Sequence, residues 1–408
     1  MLQKIFEQYR DSFLLAIIAV IIGVITGAID CLFGKILINI STFRDANFIK
    51  LIFLLPFLGL FIIFLYKKYG KNSIKGMSLV FGVAHNEEDS IPLRLVPLVI
   101  ISTWLTHLFG GSAGREGVAV QIGATIADNL GKLTKIKDSK KILIVTGMAA
   151  GFSGLFHTPI AAIFFALEVL VVGSLEYNAL LPAVIASFVS NYTSSQLGLE
   201  KFHVILKTHL VFNIETIIKI SIISILFGIV GGLFAHILNH TKQFLTKKLP
   251  NPYMKIAIIG AILSITLVTI HFGRYSGLGT NLINDSFLKS SDHIYVYDWL
   301  FKFVLTIVTL AAGFQGGEVT PLFAIGSSLG VILGSLLGLP CTLVAALGYS
   351  SVFAGATNTF IAPIFIGVEV FGYENLPYFF LSCSIAYLFS GNKSIYTSQK
   401  VLESRKEL

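Results

Sequence analysis

The chain has 408 residues, 54% of them apolar and only 13% charged, with a mean hydropathy of +0.81. An average soluble domain is about a quarter charged, so a soluble fold is excluded and a membrane-embedded one is indicated. The net charge of +8, from 30 Lys and Arg against 22 Asp and Glu, gathers in short loops and gives no nucleic-acid surface, while Cys31, Cys341 and Cys383 lack disulfide or metal-ligand spacing.

Taken in chain order, MLQKIFEQYR carries no cleavage site and leads into a span, so no cleavable signal peptide is expected. Apolar runs then recur from Leu14 to Phe389. Basic residues collect at Lys67, Lys68, Lys71 and Lys75, then at Lys132, Lys135, Lys137, Lys140 and Lys141, the trace of the positive-inside rule. A full span needs about 20 apolar residues. The runs 116–130, 143–156, 319–337 and 343–354 are shorter and broken by Gly or Pro. Such segments predict tilted or re-entrant helices that line a cavity.

Residues 114–169 and 316–371 read as two divergent copies of one stretch. From Gly147 the first reads GMAAGFSGLFHTPIAAIFFALEV, and from Gly348 the second reads GYSSVFAGATNTFIAPIFIGVEV, with about ten of the paired positions identical. The expectation is an all-α polytopic membrane protein of two inverted halves. The first half covers 1–197, a polar connector 198–213, and the second half 214–408. A polar loop, Tyr275–Tyr297, is expected inside the second half, its glycines serving as turn residues or, as the second reading, lining an entrance.

Glu116 carries the chemistry. A lone carboxylate in an apolar segment costs about 2.5–3.5 kcal/mol on insertion scales. Gly110, Gly111, Gly114 and Gly117 surround it, and an apolar helix starts at once. The free N–H groups at a helix start form an anion site with about half a positive charge. A carboxylate can occupy that site, an external anion competes with it, and protonation releases it. The arrangement couples an anion to a proton; the alternative is that Glu116 only caps its helix. The second copy repeats the pattern with Glu318, Thr320 and Pro321, and there a simple cap is an equal rival. Gly151-Phe152-Ser153-Gly154 also matches the GxSG of rhomboid intramembrane proteases, with His157 or His271 as a base. Its repeat partner holds Ala354 instead of Ser, so helix packing explains both copies.

The segment GGSAGREGVAVQIGA resembles the GREGP signature of the CLC family of anion channels and anion/proton antiporters. GGEVTPLFAIGSSLG resembles the family's second-half GGIFAP segment, and SIYTSQ (394–399) its final-helix pore-tyrosine motif. This resemblance covers nearly the whole chain. It implies the CLC fold, a gating and proton-coupling glutamate at Glu116, and an anion-contacting Tyr396 on a C-terminal helix. It further implies an anion site lined by Met77, Gly114, Arg115, Gly117, Val118, Phe314, Glu318, Val319 and Thr320. Met77 stands where most members have a serine, which together with GREGV and GGEVTP resembles the fluoride/proton antiporter branch. The position of the usual internal proton glutamate is Val169, so either protons take another route or transport is not proton-coupled; the fluoride branch typically lacks this glutamate, which favours the first, and Glu168 and Glu369 read as helix-end structural residues. The partners implied are fluoride, or chloride in the alternative reading, and protons. A homodimer in a bacterial plasma membrane is implied as well, with no CBS regulatory domain, no cofactor, no metal and no enzymatic activity.

Overall fold

The computed structural model describes residues 2–134, 136, 139–206, 213–288 and 293–402. Lys135, Lys137, connector residues 207–212 and the tail from 403 lie outside the described residues. The first half contains α1 (Leu2–Ala46), α2 (Phe48–Ile52), α3 (Leu55–Leu65), α4 (Met77–Ala84), α5 (Leu95–Leu108), α6 (Glu116–Gly131), α7 (Ser139–Phe156), α8 (Pro159–Glu168) and α9 (Leu180–Gln196). The second contains α10 (Ile214–Lys248), α11 (Pro252–Thr269), α12 (Thr280–Ser286), α13 (Asp298–Ala312), α14 (Val319–Leu337), α15 (Cys341–Thr357), α16 (Ile361–Phe371) and α17 (Leu376–Leu388).

Of the runs expected to be short, that at 319–337 is not: α14 has 19 residues and is long and apolar enough to cross a membrane, while α7 has 18 and α15 17. α6 has 16 residues and α8 only 10, which is about 24 Å and about 15 Å of helix against a hydrocarbon core of about 30 Å. These buried helices pack closely through glycine. A methyl at Gly123 would lie 2.0 Å from the Gly147 carbonyl oxygen, and one at Gly326 would lie 2.1 Å from that of Gly348. The α6–α7 contact of one half is therefore rebuilt as the α14–α15 contact of the other.

The relation between the halves follows from α8 and α16, which occupy equivalent places in the repeat. The Glu168 carboxylate, at the end of α8, accepts from the N–H groups of Phe360, Ile361 and Ala362 at the start of α16 (3.1, 3.1 and 2.8 Å). Glu369, near the end of α16, accepts from Ile160 and Ala161 at the start of α8 (3.2 and 2.8 Å). Phe164 and Phe365 stack between them, 5.0 Å apart. Equivalent helices thus run antiparallel, as inverted topology requires. Each acid neutralises the free N–H groups of the other half's helix.

Two further expectations need revision. Ser394–Gln399 is not helical. After α17 the chain turns at Gly391 and Asn392, both with positive φ, turns again between Tyr396 and Gln399, and is held by neighbours. Ile395 N–H bonds to Ala356 O (2.9 Å), Gln399 Nε2 to Val169 O (2.9 Å) and Lys400 N–H to Leu170 O (3.1 Å). Those external acceptors replace the i to i+4 ladder. Two short parallel strands follow from this, β1 (Val171–Val172) and β2 (Lys400–Val401). The Tyr275–Tyr297 loop contains α12 and sends Tyr275, Leu282 and Ile283 into the core. Its Gly277 and Gly279 do have positive φ, as turn residues should. The described part of the connector also packs, with Val204 and Leu206 N–H groups bonding to the Val370 and Phe371 carbonyls.

The basic loops are tied together on one face. Lys75 pairs with Glu88, Lys140 bonds to the Glu88 and Asp89 carbonyls, and Lys400 pairs with Glu87.

Candidate anion and proton site

The starts of α6 and α14 are joined by a two-residue antiparallel bridge. Gly114 N–H bonds to Gly317 O (2.5 Å) and Gly317 N–H to Gly114 O (2.8 Å). A methyl at Gly114 would lie 2.8 Å from Pro321 Cδ and 2.9 Å from Gly317 O, so only glycine lets the two helix starts approach this closely.

Glu116 is the first residue of α6 and is 1% exposed. It does not cap its own helix. Its Oε2 accepts from Thr320 N–H (3.1 Å), Thr320 Oγ1 (2.5 Å) and Arg115 N–H (3.3 Å). The Arg115 Nε lies 3.6 Å from Oε1, which has no hydrogen-bond partner among the described residues. The carboxylate therefore occupies the anion site of the opposite half's helix, α14, and latches the halves together. Of the sequence candidates, Gly117, Val118, Val319 and Thr320 are buried around this latch, and Arg115 is partly buried beside it.

A cavity of about 290 Å³ lies beside the latch, on the side of the Lys75 loop. Met77, Phe314, Glu318 and Tyr396, scattered over the sequence, all line it. Met77 opens α4 after a positive-φ Gly76, which turns the chain toward the cavity. The Glu318 side chain makes no cap bond; its Oε1 instead faces Lys242 Nζ at 3.7 Å. The latch and cavity adjoin, because Thr320 follows Glu318 by two residues.

Three lining residues escape sequence reasoning. Phe81 lies one turn after Met77 and stacks on Tyr396, with centroids 5.4 Å apart. Gln121 lies one turn after Gly117 and donates to its carbonyl (3.1 Å). Lys242 is six residues inside the end of α10 and carries no local signal separating it from the loop lysines nearby. The i+4 spacing from Met77 and Gly117 is the signal that could have found the first two.

Other candidates fall elsewhere. Ser153 Oγ donates to Ser187 O (2.8 Å), while His157 Nε2 meets Ser194 Oγ (3.0 Å), so the two do not form a nucleophile and base pair with each other. A cavity of about 420 Å³ beside Arg44 and Arg274 holds none of the anion-site candidates, and its arginines are paired with Asp45 and Asp298. Among the described residues no group of three His, Cys, Asp or Glu is placed to hold a metal ion.

Residues 58–391 match the family model described as voltage gated chloride channel. The chain is 34% identical over 395 residues to a chloride/fluoride channel protein of Pseudomonas syringae pv. tomato, covering 95% of this chain and 86% of that one. It superposes on the crystal structure of a CLC-type fluoride/proton antiporter with a TM-score of 0.95 at 54% identity, covering 97% and 99% of the two chains. The structure of a slow cyanobacterial chloride/proton antiporter shares the fold at 20% identity, with a TM-score of 0.79 over 94% and 96%.

Proposed function

The chain belongs to the voltage-gated chloride channel (CLC) family, and we propose that within it this protein is a fluoride/proton antiporter that exports fluoride across a bacterial plasma membrane. One observation carries this reading: the Glu116 carboxylate sits on the Thr320 N–H and hydroxyl at the start of α14. Ionised, it is held there by charge-assisted bonds. Protonated, it loses its charge and an acceptor, and leaves. The donors it frees are those an anion needs. Anion arrival and proton uptake at one carboxylate thereby become linked steps.

Fluoride as the anion is supported by the cavity's chemistry and by the 54% identical antiporter. Fluoride is small and strongly hydrated, so a site must replace its water with close donors. Thr320, Tyr396 and the helix-start N–H groups are available. Met77 offers no hydroxyl and fills space that a larger chloride needs. Lys242 draws anions into the cavity from the cytoplasm and holds Glu318. The hydroxyl of Ser153, bound to a backbone carbonyl, favours transport over the protease reading. Chloride remains the second reading, because the Pseudomonas relative is named for both anions.

The test is efflux from proteoliposomes loaded with fluoride or with chloride, recorded with proton uptake. Fluoride efflux with opposed proton movement and little chloride efflux supports the proposal. Comparable chloride efflux moves the protein to the second reading. We further propose a homodimer, on family resemblance alone; a particle of one chain mass in detergent would sink that.

A further inference from the structure

We propose that the first half holds a buried monovalent-cation site between α1, α7 and α9, with Asp30 as its charged ligand. Asp30 lies within the apolar span Tyr9–Ala46 and is fully buried. Neither of its carboxylate oxygens has a hydrogen-bond partner among the described residues. The Ser190 hydroxyl on α9 is likewise buried and unpartnered, and so is Thr26 Oγ1, one turn before Asp30 on the same face.

Two of these oxygens converge. A methyl added at Gly154 of α7 would lie 2.4 Å from Ser190 Oγ and 2.7 Å from Asp30 Oδ2. Both atoms therefore flank one spot beside a residue that has no side chain to fill it. An isolated carboxylate in an apolar interior is too costly to keep charged, so it takes either a proton or a counter-charge. The donor set is all oxygen and holds one negative charge. It matches one small monovalent cation; divalent calcium sites gather more oxygen ligands and usually more carboxylates.

The second half supplies the control. Methyls at Gly23 and Gly27 of α1 would press on the carbonyls of Ala186 and Ser190 in α9. Methyls at Gly228 and Gly232 of α10 would press in the same way on the carbonyls of Ala386 in α17 and of Ser390 just beyond its end. Asp30 stands three residues after Gly27, and its counterpart three after Gly232 is Ala235, also fully buried. Ser153 has Ala354 as its counterpart. The same three-helix packing is thus built without a carboxylate in the other half. Packing alone does not account for Asp30.

The test is thermal unfolding of the purified protein in sodium or potassium gluconate against N-methylglucamine gluconate at equal ionic strength. The wild type should show a saturable rise in Tm of about 2 °C or more with the small cation. Asp30→Ala, the residue the second half uses, should abolish the rise. Should that variant not fold, Ser190→Ala should raise the half-saturating cation concentration several-fold. Equal Tm in all three salts for the wild type overturns the proposal. So does an undiminished rise in Asp30→Ala, or an unshifted half-saturation in Ser190→Ala.

Discussion

Replacing Thr320 with Val tests the latch where its energy is concentrated. The side chain keeps its shape but loses the hydroxyl that reaches Glu116 Oε2 at 2.5 Å, while the Thr320 N–H at 3.1 Å remains. A hydrogen bond to a charged group contributes about 1.5–3 kcal/mol, so the latched population should fall by roughly ten- to one-hundredfold relative to the released one. A carboxylate that leaves its site more readily leaves it more often without a proton. Fluoride then slips through uncoupled. In proteoliposomes with simultaneous fluoride-electrode and pH recording, Thr320→Val should carry several-fold fewer protons per fluoride than the wild type. Thr320→Ser, which keeps the hydroxyl, should restore the ratio. An unchanged ratio in Thr320→Val, at any absolute rate, would refute the latch.

Met77→Ser places a hydroxyl in the cavity and makes room, so chloride flux relative to fluoride flux should rise by about tenfold, a shift within the range of one buried hydrogen bond; paired efflux assays read it. Lys242→Gln removes the cation facing Glu318 and should raise the fluoride concentration for half-maximal transport several-fold, with Lys242→Arg close to wild type; no change would remove Lys242 from the mechanism. Glu168→Ala strands three N–H groups at the start of α16 and should cost about 3 kcal/mol of stability, seen as a lower unfolding temperature. Glu168→Gln, which keeps an acceptor oxygen, should cost less.

Much of this site was legible because its signals are one-dimensional. The repeated GxE openings at Gly114 and Gly316, the glycines and a carboxylate inside an apolar run can all be read along the chain. The role of Glu116 as an occupant of an anion site follows from charge and helix-start chemistry. Which helix receives it does not, because Thr320 is about two hundred residues away and reaches Glu116 only when the halves invert. Lys242 was hidden for the same reason: nothing beside it in sequence distinguishes it from a loop lysine. Tyr396 lines the same cavity as Met77, Phe314 and Glu318, but its segment is not the helix the sequence suggests. Its segment is held by Ala356, Val169 and Leu170 carbonyls, acceptors no local pattern can announce. Glu168 and Glu369 read as helix-end residues, yet the helices they serve lie in the opposite halves.

The central claim is that one carboxylate links the anion to the proton. Its most direct measurement is simultaneous fluoride and proton flux in proteoliposomes containing wild-type or Glu116→Gln protein. The account expects a fluoride gradient to drive protons the opposite way in the wild type. In Glu116→Gln, proton movement should fall to the level of empty vesicles, whether or not fluoride still moves. Proton transport at the wild-type rate in Glu116→Gln would contradict it.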